Sequence, residues 1–223
     1  MQDPVAERSA WAAHLRSLAE PVLTGTPLLD PSGDAETFIA SFIDEAGHRR
    51  AVDRPLLAWM LGVAPGEPAK PPTLDEPLWW RLAAGDPAWS DLVRPGDGPL
   101  LLELADESVG IEVRTEAELS AVHALHRLGR LHNDQAAVER AFDAARWHTE
   151  TLQPDNATNH PWGVHAFLEL AISSADAAPA GAARSHAGTL LHNAMVALGR
   201  PDRFGAVLLL DAARALQGEP ASD

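Results

Sequence analysis

Glu118-Leu119-Ser120-Ala121-Val122-His123-Ala124-Leu125-His126-Arg127-Leu128-Gly129 decides how this chain is read. Leu119 and Val122 lie on one side of a helix and Leu128 on the other, and a helix apolar on two sides is sandwiched between neighbours. Thr115 with Glu118 three residues on reads as a capping box, so the helix spans 116–128 and Gly129 stops it. Asn133 or Asp134 caps a second helix that runs to about Leu152, where Pro154 forbids continuation. The pattern recurs downstream. A helix opens at Pro161 and runs to about Ile172, followed by Ala182–Leu198. In that last segment Leu190, Val196 and Ala197 face one way while Leu191, Met195 and Leu198 face another. Short loops imply antiparallel neighbours, so 116–152 and 161–198 read as two successive stacked α-hairpins, and Phe204–Leu216 closes the series.

The first half is punctuated by proline. Ser9–Ala19 is expected to be helical through Trp11, Leu15 and Leu18, and Asp34–Ala46, Asp53–Leu61, Glu76–Ala84 and Asp86–Val93 follow. A proline-dense loop occupies 64–72. Leu100–Leu104 and Val109–Arg114 read as a small β-hairpin, because Ile111 and Val113 alternate with Glu112 and Arg114. The expectation is therefore a single mainly α domain: a helical half over 1–98, the hairpin over 99–114, and the α-hairpin half over 115–217.

Composition excludes several function classes. There are no cysteines, which removes disulfides, thiol catalysis and thiolate metal sites. The net charge of −15 repels phosphate backbones and anionic lipid, so neither nucleic acid nor membrane is expected as a partner. The N-terminus is acidic and lacks an apolar stretch, so a cytoplasmic protein is expected. No Gly-x-Ser-x-Gly elbow, Walker loop or dinucleotide glycine pattern appears, and no cofactor is expected.

Three stretches carry a resemblance: the run Glu118–Gly129, then Ala141-Phe142-Asp143-Ala144-Ala145-Arg146-Trp147-His148, then Pro161-Trp162-Gly163-Val164-His165-Ala166-Phe167. On them the second half resembles the α/α-toroid proteins, the helical-hairpin barrels that include six-hairpin glycosidases, polysaccharide lyases and terpenoid cyclases. The resemblance covers about half the chain. A full ring needs about 12 helices of ordinary length, so it implies a partial or open toroid here. No catalytic residue is carried over.

Candidate chemistry concentrates in 147–167, which holds three His and two Trp. Amides and carboxylates beside indoles suit a sugar-like ligand, with Trp147 and Trp162 as stacking platforms and Gln153, Asp155, Asn156 and Asn159 as polar contacts. The same residue types also build any helix connection. His123 and His126 share a helix face, and His148, His160 and His165 converge on it from the next helices, which makes a His-ligated metalloprotein a third reading. No His-Glu-x-x-His run exists, histidines bonded within the core are the plainer explanation, and no metal is expected. Trp162, His165 and Glu169 fall on one helical face, with Glu169 placed to orient His165. Asp155 and Glu150 are the candidate acid or base of a carbohydrate-active hydrolase or lyase, which would need two carboxylates across the scissile bond. Without a reaction motif, the leading expectation is a non-catalytic binding or interaction module. Its His- and Trp-lined concavity would take a small or sugar-like molecule or a protein partner, and two-sided helices at an open ring end would favour a homodimer.

Overall fold

A computed structural model of the chain describes residues 3–102, 109–152 and 158–219. Among the described residues it is helical throughout: α1 (Pro4–Leu23), α2 (Ala35–Ser41), α3 (Asp53–Leu61), α4 (Glu76–Ala84), α5 (Ile111–His132), α6 (Gln135–Thr151), α7 (Val164–Ser173), α8 (Ala177–Val196) and α9 (Arg203–Gln217). None of these helices is long and apolar enough to cross a membrane. α3 and α4 match the sequence reading to the residue. Side-chain caps open four others: Asp3, Asp34, Asp134 and Asp202 accept backbone N–H bonds at α1, α2, α6 and α9.

The expected hairpins are present as α5 with α6 and α7 with α8. α7 also touches α1, α5, α6 and α9, so it runs through the middle. All eight residues from Val164 to Ala171 are buried. Phe167, Leu168 and Leu170 alone each contribute about 1.5–3 kcal/mol relative to exposure. The most extensive pairing is between α1 and α9, the first and last helices, where Ala12, Leu15, Ala19 and Leu23 supply the buried face. Trp11, expected on that face, is only half-buried.

Among the described residues the β-hairpin does not form. Ile111–Arg114 is the first turn of α5, with Ile111 and Val113 57% and 55% exposed and Arg114 buried, the reverse of the expected alternation. The backbone N–H groups of Leu100, Leu101 and Leu102 donate instead to the Glu118 carboxylate, at 2.6, 2.9 and 2.8 Å. That carboxylate does the job a partner strand would have done. Glu118 is therefore not half of a capping box, and Thr115, inside the helix, donates to the Ile111 carbonyl.

Gly129 does not stop α5 either. The helix continues to His132 and ends at Asn133 in the left-handed region, φ 53°. A Cβ at Gly129 would sit 2.8 Å from Val138 Cγ2 and 2.9 Å from Val138 N, so this glycine lets α6 approach. Asp86–Val93 forms turns rather than a helix, with the Asp86 carboxylate accepting from Ala88 N–H. α2 stops at Ser41, short of the expected Ala46, and Asp44 folds the chain back by accepting from Ala46 and His48 N–H. α7 opens three residues after Pro161, because Gly163 takes φ +66° with its Cα packed against α5, where a Cβ would lie 3.2 Å from the Leu119 carbonyl.

Candidate functional site

α5 carries its polar residues in two groups, one near each end. At the C-terminal end, His123 and His126 project toward α7, and His165 from α7 inserts between them, with ring centroids 4.3 and 4.8 Å away. All three rings have no exposure. The spacing argument thus brings these three histidines together, in a sealed layer rather than on an open wall.

Asp211 of α9 closes one side of this layer. Its carboxylate accepts from His123 Nε2 at 2.9 Å and Trp59 Nε1 at 3.1 Å, and Arg127 Nη2 lies 3.2 Å away. The Gly163 N–H donates to His123 Nδ1 at 3.2 Å, which fixes the tautomer: the proton sits on Nε2 and points at Asp211. Glu169 closes the other side, paired with Arg130 and 3.4 Å from His126 Nε2. It does not meet His165, whose two ring nitrogens have no hydrogen-bond partner among the described residues.

The electrostatics follow from burial and pairing. Burial works against the Asp211 charge, but Arg127 and the His123 hydrogen bond overcome it and hold the carboxyl at about 2. Burial likewise opposes Glu169, and His126 and Arg130 hold it at about 2. Two carboxylates are thus matched by two guanidinium groups. Burial depresses the pKa of His123, His126 and His165, outweighing the pull of Asp211 on His123 and of Glu169 on His126. The layer is charge-balanced, with neutral imidazoles at its centre.

Above it lies an open cleft of about 840 Å³, walled by the start of α1 and the ends of α5 and α9. Arg127, Arg130, Glu169 and Trp59 belong to both the layer and the cleft, so they join the buried histidines to solvent.

The N-terminal group of α5 faces a smaller groove of about 220 Å³, lined by Asp75, Glu116, Ser120, Trp162 and Arg50 among others. With 1.5 Å rise per residue, Glu116 and Arg130 stand about 20 Å apart along the helix. His160 Nδ1 bonds Glu116 at 2.7 Å and Trp162 Nε1 donates to it at 3.2 Å. Burial opposes the Glu116 charge, but these two partners bring its carboxyl below the usual value. Asp75 accepts from Ser120 at 2.6 Å, and Ser120 in turn accepts from Trp79 Nε1 at 2.9 Å. Burial nonetheless pushes Asp75 up to about 6.

The remaining expected residues scatter. Trp162 is buried between Trp79, His123 and Phe204, so its faces are not free for stacking. His148 belongs to a separate layer, 6.4 Å from His186, which stacks on Phe167 at 4.2 Å. Trp147 is half-buried, and Glu150 and Asn159 are exposed. Gln153, Asp155 and Asn156 lie outside the described residues. Among the described residues, no three of the His, Asp and Glu side chains are disposed to hold a metal ion.

Asp211, Arg127, Trp59, Asp75 and Glu116 are absent from the sequence-based candidate list. Only Asp211 left a trace, as a single charge inside an otherwise apolar helical run. No protein-family model matches the chain, and neither a curated protein nor a solved structure is similar to it.

Proposed function

We propose that the protein is a non-catalytic binding module that holds a small polar molecule in the 840 Å³ cleft. Its size, within the usual range for small-molecule sites, supports this. The observation that carries it is the state of the floor: Asp211 and Glu169 are each tied to an arginine, and the histidines beneath are neutral. Such a floor is rigid and polar, and the neutral imidazoles beneath it are sealed from the cleft. Kinship with α/α-toroid proteins belongs to the same proposal, supported by the paired hairpins α5–α6 and α7–α8.

A thermal-shift screen with neutral sugars, polyols, organic acids and sugar phosphates tests it. At least one class is expected to raise Tm, since a ligand of the folded state stabilises by mass action. Ser9 lines the cleft and is exposed. Ser9→Trp is expected to abolish the shift with little change in the unliganded Tm. A shift that survives Ser9→Trp, or no shift from any class, sinks the reading.

One observation favours a second reading, a carbohydrate-active hydrolase. Asp75 and Glu116 line the same groove beside Trp162, with their pKa values displaced in opposite directions, the pattern of a carboxylic acid and a carboxylate in separate roles. Turnover of an aryl-glycoside panel that is lost in Asp75→Asn would establish it; wild-type protein inert on the whole panel would remove it.

A further inference from the structure

The cleft differs in charge from the molecule that carries it. The chain bears −15 overall, yet Arg8, Arg127 and Arg130 all line this one cavity. The carboxylates around it are committed: Glu169 to Arg130 and His126, Glu219 to Arg16, and Asp211 beneath to Arg127, His123 and Trp59. Arg8 pairs with no described residue. Counting Arg8, Arg127 and Arg130 against Asp211 and Glu169 leaves one uncompensated positive charge.

Arg127 is only partly used. Its side chain is 4% exposed, and its guanidinium carbon lies 5.2 Å from the centre of the Trp59 ring. Although Nη2 is 3.2 Å from Asp211, the contact is off the line of a hydrogen bond, and both Nε and Nη2, closed to solvent until the guanidinium turns toward the cleft, lack an acceptor. A buried donor left without an acceptor is costly. The partner that meets a planar fork of N–H donors best is an oxyanion, whose two oxygens accept side by side.

We propose that the ligand of this cleft is a small molecule bearing a carboxylate or phosphate group, whose oxygens accept from Arg127 at the floor and from Arg8 on the α1 wall. This rests on the binding reading above and adds the charge class of the ligand. A neutral ligand would leave both guanidinium groups as they are. Against a net charge of −15, a cleft with an uncompensated positive charge is where an anion meets attraction rather than repulsion.

Calorimetric titration of the intact chain tests it with citrate, inorganic phosphate and glucose 6-phosphate, and with glucose as the neutral counterpart. At least one anion is expected to bind, with glucose at least tenfold weaker. Citrate against phosphate separates the two oxyanion sources. Arg8→Gln is expected to weaken the anion about five- to tenfold. Arg127→Lys keeps the charge opposite Asp211 but removes the fork, and should weaken it by more than tenfold. Arg184→Gln, which removes a guanidinium bonded to Glu7 outside the cleft, should leave Kd unchanged. Glucose binding as tightly as its phosphate, with Arg8→Gln silent, overturns the anion assignment and leaves the binding function standing. No heat from any of the three anions overturns the anion assignment, and the binding reading then stands or falls on the thermal-shift screen.

Discussion

Asp211 has no exposure and three partners, and one of them, Arg127, depends on it for charge. Asp211→Asn keeps the shape of the side chain and strands a buried guanidinium. It is expected to cost about 3–5 kcal/mol in urea unfolding. A loss below about 1 kcal/mol, the range of exposed pairs, would show that Arg127 takes its compensation from elsewhere. At this scale the sequence is legible only locally. His123 and His126 declare a shared face because they are three residues apart on one helix. Asp211 sits 88 residues from His123, and no periodicity spans the four intervening loops. A lone acid within Val207–Ala213 announces that a counter-charge is buried nearby without saying which. Trp162 misleads for a related reason: an indole reads alike whether its faces are free or packed against Trp79 and Phe204.

Among the elements, the contact of α5 with α6 turns on Gly129. Alanine is the better helix former by about 1 kcal/mol, but its Cβ would meet the backbone nitrogen of Val138, which cannot rotate away. Gly129→Ala is therefore expected to destabilise by about 1–3 kcal/mol on thermal unfolding; a rise in Tm would mean that α6 slides aside freely. Helices with local punctuation, α3 and α4, are readable to the residue. Where backbone groups are met from far along the chain, local pattern misleads. Leu100–Leu102 carries strand-like residues, but its N–H groups are satisfied by Glu118, 16–18 residues on, and Ile111–Arg114 alternates only because a helix's first turn can carry any pattern where it is exposed.

For the molecule as a whole, buried histidine sets the response to acid. Burial holds His148 at about 3 and His186 at about 4, and depresses His123, His126 and His165 as well. Between the unfolded value of 6.5 and these folded values the unfolded chain binds protons that the native state refuses, so stability falls as pH falls. At pH 5 His148 and His186, whose folded values lie below that pH, each cost about 2 kcal/mol, and His123, His126 and His165 add to the loss in the same direction. Asp53, Asp75, Glu118 and His160 act oppositely: burial raises Asp53 and Asp75 to about 6 and lifts Glu118, while, against burial, Asp202 and Glu116 raise His160, so the folded state takes up these protons first. Five depressed histidines outweigh four raised groups, and Tm is expected to drop by on the order of 5 °C from pH 7 to pH 5, as calorimetry would register. A flat profile would mean that the rings are hydrated in solution.

The pairing of α1 with α9 has a consequence for biosynthesis. Arg16 bonds Gln217, 201 residues further along, and the cleft takes one wall from each of these helices. At ribosomal speeds of about 5–20 residues per second, α1 emerges roughly 10 to 40 s before its mate exists. Throughout that interval the face of α1 that carries Leu15 and Leu23 lacks its main partner, and the cleft is incomplete until α9 has been made.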